Sequence, residues 1–471
     1  MSAQTTIIPS LSVSERYDSN IFSAPKSLLS PGIEPEDFIT TVTPQLNIAH
    51  AGSLIRGRIF GSGLVTKYIN NPERDFTGYN VGGQLDLLDA ARQVSPRITS
   101  LTVRGTYRSV PSTNGFGATG GGLGTGFGSP STGVLETGQV TNRASRQIYT
   151  LGVTGAYQLT GVTTLNAGFN YSKISFGEQG AQSGGVNNQL FDTTGYQGMT
   201  TISTRISARD TVGATAIMSQ FVQEDSSGSS GQGSFTTITE TLNWSRLWTQ
   251  QLSTSLRGGG IFKLPVGSDI PGQSVKSQFV PTVGALMTYT SLSGELRDVG
   301  AFEGLPSLAG SLSPGGIMAP GAYTATMSYR FSLLPSYAFG AGPLKVHVLG
   351  INAIGGITTK LSGRVGLNYS HGSSSTPTST FDTVGLTVGT HYLLGPVLAS
   401  LTYNWLYYSR EDDQSLSTQS QYEFSKKIVM LSFSYAFTSP SFFREGISFP
   451  SGAGSGSSPS GDGSGILRKE E

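Results

Sequence analysis

The chain has 471 residues, 13% of them charged and 36% hydrophobic, with 64 glycines and a net charge of +1. A soluble chain carries about 25% charged residues, and because a tenth of this one is aromatic, disorder does not explain the deficit. A transmembrane barrel does, since half of each strand then faces lipid and the other half favours small polar residues. The balanced charge gives no nucleic-acid footprint. Cysteine is absent, which excludes disulfides, thiolate metal sites, attached haem and cysteine nucleophiles. No apolar run approaches the ~18–20 residues of a spanning helix. The start lacks a basic-then-apolar signal segment, and Met1-Ser2-Ala3-Gln4 leads almost directly into a strand. It reads as a mature form whose signal was removed.

Alternation predicts the first strand over Thr6–Tyr17, with Leu11, Val13 and Tyr17 on one face and Ser10, Ser12, Ser14 and Arg16 on the other. Phe38–Ala49, Leu54–Tyr68, Phe76–Leu87 and Ile98–Val110 follow the same pattern, with no helix-period segment between them. Residues 111–141 are Gly-rich but lack the Gly-Lys-Ser/Thr of a phosphate-binding loop, so they read as a long mobile loop. Strands then recur as long pairs: Arg146–Leu159 with Val162–Phe176, Thr200–Ala208 with Thr211–Val222, and Thr236–Trp248 with Gln251–Phe262. The joints within pairs are two-residue turns such as Thr160-Gly161, whereas the stretches between pairs are longer and polar. Short and long connections in alternation are the asymmetry of an outer-membrane barrel.

Phe279–Thr290 continues the series, and residues 291–320 read as an irregular segment, either an extra strand or a plug. Tyr323–Leu333, Leu344–Ile354, Leu361–His371, Thr383–Leu393 and Val397–Tyr408 come next. Lys427–Phe437 closes the set, with Val429, Leu431, Phe433, Tyr435 and Phe437 alternating with Met430, Ser432, Ser434 and Ala436. The expectation is an all-β, antiparallel, up-and-down transmembrane barrel over residues 1–438, of about 18 strands (16–18). Residues 439–471, rich in Gly and Ser, read as a flexible tail. The closing strand ends on an aromatic, as does the signal read by the barrel-insertion machinery.

Parity sorts the side chains further. If the Leu- and Tyr-bearing faces meet lipid, then Arg56, Arg58, Arg104, Arg108 and Arg146 line the lumen, together with Arg205, Arg257, Arg330 and Arg364. Asp86 is the clear acid of that parity, and most acids cluster in connecting stretches such as Glu34, Glu36 and Asp37. This predicts a water-filled passage with anion-attracting walls, although wall arginines also hold barrels together by pairing with acidic loops. Aromatics at strand ends (Tyr17, Phe22, Tyr68, Trp244, Trp248, Trp405, Tyr407 and Tyr408) suit girdles at the membrane interface. His50, His347, His371 and His391 are far apart in the chain without metal-ligand spacing, and no Gly-x-Ser-x-Gly elbow sits between a strand and a helix. No enzyme, metal or cofactor is expected.

Ser14-Glu15-Arg16-Tyr17-Asp18-Ser19-Asn20-Ile21-Phe22, then Asp37-Phe38-Ile39-Thr40 and Pro44, resemble the opening of the outer-membrane barrels associated with exopolysaccharide gene clusters. These include the PEP-CTERM/exosortase-associated group. The likeness covers the first fifty residues or so. It implies an integral bacterial outer-membrane location and a link to polysaccharide export, with polysaccharide and periplasmic export components as partners. Two readings of function stay open: a conduit for polysaccharide or small anions, and a plugged, non-conducting scaffold of a secretion complex.

Overall fold

The computed structural model describes residues 4–23, 25–29, 32, 34–111, 145–176, 191–225, 233–265, 278–291, 320–335, 343–375, 378–412 and 421–437. They form eighteen strands, one short α-helix and two single-turn 3-10 helices, Lys26–Leu28 and Pro72–Arg74. The first third holds β1 (Gln4–Asp18), β2 (Asp37–Ala51), β3 (Arg56–Tyr68), β4 (Phe76–Asp86), β5 (Ile98–Pro111) and β6 (Ser145–Gln158). The second holds β7 (Thr163–Phe176), β8 (Phe191–Arg205), β9 (Asp210–Asp225), β10 (Gly233–Leu247), β11 (Leu252–Pro265) and β12 (Gln278–Thr290). The last holds β13 (Tyr323–Pro335), β14 (Pro343–Gly356), β15 (Leu361–Ser375), β16 (Thr378–Leu394), β17 (Val397–Asp412) and β18 (Gln421–Ala436). Each strand pairs antiparallel with its sequence neighbours, and β1 pairs with β18 in register from Ser10↔Ala436 to Asp18↔Ile428. The sheet is closed and leaves no edge running its length. Even the shortest strand, of 11 residues, meets the ~9–11 residues that cross a bilayer at a tilt.

Both strand termini, Gln4 and Ala436, lie at one rim, here called lower. Tight joints gather there, at 159–162, 206–209, 248–251 and 357–360. Each carries Ser or Thr as its second residue, and that hydroxyl accepts two backbone N–H bonds. Thr160 takes those of Val162 and Thr163, Ser207 those of Arg209 and Asp210. Thr249 takes those of Gln251 and Leu252, and Thr358 those of Lys360 and Leu361. A hydroxyl that satisfies the two exposed amides of a reversal fixes the turn with no residue at positive φ. The two-residue joint 395–396 instead uses Gly395 at φ 60. By the asymmetry of such barrels the lower rim is periplasmic.

Three sequence expectations need correction. The eighth strand begins at Phe191, nine residues before Thr200, because Gly195 and Gly198 dilute the apolar alternation there. A helix, α1 (Leu88–Val94), occupies the joint between β4 and β5. Asp86 accepts the N–H of Leu88 at 3.0 Å and so supports its start. The upper ends of several strands also run further than alternation suggested, to Pro265, Ser375 and Asp412. The greater parts of 111–141 and 291–320, and the tail 439–471, lie outside the described residues.

Candidate functional site

The two faces of the sheet are chemically distinct. On β18, Val429, Leu431 and Phe433 are 40–45% exposed, while the intervening Met430 and Ser432 are 8% and 3% exposed. The same parity runs round the outer surface: Leu11 and Val13 on β1, Val81 and Leu85 on β4, Leu151 and Val153 on β6, Val365 and Leu367 on β15. Exposing that much apolar surface to water costs about 25 cal/mol per Å², so the surface belongs against hydrocarbon.

Aromatics rim this belt. At the lower rim Trp244 and Trp248 meet edge to face at 6.5 Å, and their indole N–H groups donate to Asp210 Oδ1 and Thr254 Oγ1. Tyr289 and Tyr323 stack nearby at 5.5 Å. Toward the upper rim an outward row links Tyr79, Tyr107 and Tyr149, and Tyr17 donates to Glu36 Oε2 at 2.8 Å. Trp405 and Tyr407 share the outward parity of β17, and the Tyr407 hydroxyl donates to Glu423. An apolar ring face with a polar tip suits the headgroup boundary. The chain is an integral barrel of the outer membrane.

Tyr68 and Tyr408 are not girdle residues. Both point inward, 7% and 0% exposed, because adjacent residues such as Tyr407 and Tyr408 must take opposite faces. Phe22 lies in the first upper loop, 7% exposed. The histidines are less isolated than their spacing suggests. His347 and His371 are register partners facing outward, their rings 6.2 Å apart, with Asp382 Oδ1 3.0 Å from His371 Nδ1. Among the described residues no group of three such side chains is placed to hold a metal.

The inward face carries the candidate site. Register places Arg56, Arg58, Arg104, Arg108, Arg205, Arg257, Arg330 and Arg364 on it. Arg146 has the same parity on β6, and its side chain is outside the described set. The ladders bring some together. Arg58, Gln84 and Arg104 stand in one row across β3, β4 and β5. Arg257, Gly284 and Arg330 do so across β11, β12 and β13. Members of each arginine pair are two strands apart, about 10 Å between backbones. Arg56 Nη2 lies 3.2 Å from Asp89 on α1, and Arg58 Nη2 donates to Asn47 Oδ1 at 2.6 Å.

Four further cations share the inner wall: Arg16, Lys263, Arg410 and Lys426. Lys263 and Arg410 escape a reading that stops β11 at Phe262 and β17 at Tyr408; longer strands would have caught them. Acids are fewer. Among inward strand positions whose side chains are described, only Asp18, Asp37 and Asp86 are acidic. Asp18 is paired with Lys426 at 3.0 Å. Asp37, fully buried, accepts from the backbone N–H groups of Ile69, Asn70 and Asn71 and from Asn71 Nδ2. Both acids are thus engaged in structure, and the wall presents a basic field to whatever enters.

The wall is not uniform. Eighteen strands at the usual spacing and tilt enclose a backbone cylinder about 35 Å across. Side chains on a wall that wide cannot cover one another from above. Yet Phe381, Leu406, Tyr408 and Ile428, all inward, are at most 3% exposed. Chain folded inside the barrel must lie over β16–β18. The rows on β5–β7, by contrast, are half-exposed: Thr102, Arg104 and Thr106, then Thr150 and Thr154, then Asn166 and Asn170.

No protein-family model matches the chain, and no curated protein matches it. Among solved structures, OccK3 (OpdO) of Pseudomonas aeruginosa shares 11% identity over 92% of this chain and 96% of its own, with a TM-score of 0.41. OccAB4 of Acinetobacter baumannii shares 10% over 92% and 99%, with a TM-score of 0.43. The FrpB iron transporter of Neisseria meningitidis shares 10% over 91% and 81%, with a TM-score of 0.45. Likeness at this level decides nothing about the chain, whose barrel and belt stand on their own geometry.

Proposed function

We propose that the barrel is a diffusion channel for anionic and polar solutes, running along the basic inner wall of β3–β13. The imbalance of inward charge supports this reading most: arginines recur on β3, β5, β8, β11, β13 and β15 while Asp18 and Asp37 are consumed by Lys426 and by loop amides. Guanidiniums spaced around a wet wall lower the barrier for carboxylates and phosphates and raise it for cations. The test is the reversal potential of purified protein in planar bilayers under a salt gradient. Arg104→Gln/Arg257→Gln/Arg330→Gln is expected to move it from anion preference toward none. An unmoved potential removes the arginines from selectivity, and silent insertion favours a plugged scaffold.

Exopolysaccharide as cargo is a finer reading carried by the opening stretch alone. It predicts that acidic oligosaccharides interrupt the current and neutral ones do not. The aromatic end of the closing strand supports recognition by the barrel-insertion machinery. Phe437 N–H donates to Pro9 carbonyl at 3.0 Å, so the aromatic that follows the closing strand is still tied to β1. Truncation after Phe437 is expected to leave heat-modifiable folded barrel unchanged, whereas truncation after Tyr435 reduces it.

A further inference from the structure

We infer that the described residues of the loop between β1 and β2 (19–23, 25–29, 32 and 34–36) form a strap folded inside the upper mouth and latched to the closing strand through Lys426. Lys426 sits on the inward face of β18 between Phe424 and Ile428 and is 4% exposed. Its Nζ lies 3.0 Å from Asp18 Oδ2 and donates to Ser23 Oγ at 3.3 Å. A hydroxyl reached by an inward-pointing ammonium is on the lumen side of the wall. The strap therefore enters the barrel rather than rising from it.

Its path is fixed at both ends. The β1–β18 register stops at Asp18↔Ile428, so β18 above that point has no β1 partner. Ser19 takes the place: its N–H donates to Lys427 carbonyl at 2.9 Å, and Lys427 N–H donates to Ser19 Oγ at 2.8 Å. Asn20 N–H donates to Asp18 Oδ1, and Ile21 N–H to Pro35 carbonyl, which closes the strap's base. Beyond these, the Phe22 ring is buried beneath the Arg74 guanidinium, 3.9 Å from its centroid. The returning limb is held by Asn71 Nδ2 donating to Glu34 carbonyl.

The attachment point is strained. Ser23 is the one described non-glycine residue with positive φ, at 50°. A side chain in the left-handed region persists only when its surroundings hold it there, and such strain gathers in segments with a second position. Ser23 N–H donates to Asn20 carbonyl at 3.1 Å, and the Lys426 contact ties its side chain to the wall. Around it lie Phe381, Tyr408 and Phe424, stacked in a row across β16–β18 and at most 5% exposed. With the strap in place the mouth beside these rings is narrowed. With it swung out, the mouth widens.

This inference goes beyond the channel reading, and its first readout does not require conduction. Lys26, exposed within the strap, is a trypsin site, and the chain's lack of cysteine makes an engineered pair unambiguous. In the folded barrel, Lys426→Met is expected to speed cleavage after Lys26 about tenfold or more, since cleavage follows the population of the open segment. In Ser23→Cys/Lys426→Cys the thiols stand about a lysine's length apart, too far for a direct disulfide. A short bis-methanethiosulfonate should therefore bridge them, leave cleavage no faster than in wild type, and release rapid cleavage on reduction. Equal cleavage of wild type and Lys426→Met overturns the latch. Should Lys426→Met not fold, the bridged and reduced forms of the pair make the same comparison, and equal rates again overturn it. Where the protein conducts, reduction is also expected to raise single-channel conductance.

Discussion

Two arcs of the inner wall share one alternation and have opposite fates. On β5–β7 the inward residues include Thr102, Arg104, Thr106, Thr150, Thr154, Asn166, Asn170 and Ser172, all half-exposed. On β17 and β18 they run Leu398, Ser400, Thr402, Asn404, Leu406 and Tyr408, then Phe424, Lys426, Ile428, Met430 and Ser432, all buried. Both arcs point into the same lumen. The difference lies in what stands over them: water on one side, folded chain on the other. A period of two fixes which way a side chain points, and the neighbouring segments decide whether that direction is wet.

The largest test of this difference is Tyr408→Ala. Tyr408 is stacked between Phe381 at 6.2 Å and Phe424 at 5.3 Å and is fully buried. Truncating a buried aromatic costs about 3–5 kcal/mol, and urea unfolding of the barrel in detergent should show a loss of that order. A loss under ~1 kcal/mol would mean the packed arc is no core at all. Thr106→Ala on the other arc removes a hydroxyl bonded to Thr150 of the next strand. The expected loss there is about 0.5–1.5 kcal/mol, the net worth of one such bond. Comparable losses at the two sites would erase the distinction between the arcs.

The outer surface was legible from sequence because lipid imposes one rule on every strand. Leu11, Val81, Leu151 and Leu431 obey it alike and stand out by parity. The tight lower turns were legible as interruptions, and the shared Ser or Thr at 160, 207, 249 and 358 is the residue that fixes them. The inner wall was legible only in part. Its arginines follow from parity, but Lys263 and Arg410 lie beyond the apparent strand ends, where polar residues on both faces hide the alternation. The packed arc could not be read at all. The closing strand's inward face looks small and polar over Met430–Ala436, and Phe424, Lys426 and Ile428 sit above that window. That Lys426 meets Asp18 and Ser23 depends on closure between the first and last strands, a contact some 400 residues apart in the chain.

The smallest expected effect belongs to a glycine, and it probes how the arginine-bearing wall stays wide. Arg257 on β11 lies across Gly284 on β12, toward Arg330 on β13. A Cβ at Gly284 would stand 2.4 Å from Arg257 Nε and 3.0 Å from its Cγ. Gly389 beds Arg364 in the same way, with a Cβ 3.0 Å from Nε. Without a side chain beneath it, a guanidinium lies flat on the wall, and the field is kept while the cross-section is not reduced. In Gly284→Ala the flexible end of Arg257 must lift. Alanine also gains about 0.5–1 kcal/mol over glycine from reduced backbone freedom, so the two changes offset and stability should move by no more than ~0.5 kcal/mol. Conductance should fall with Arg257 raised into the path, while the reversal potential holds because no charge is removed. Unchanged conductance would show that Arg257 does not border the path, and the channel would then have to run along another part of the wall.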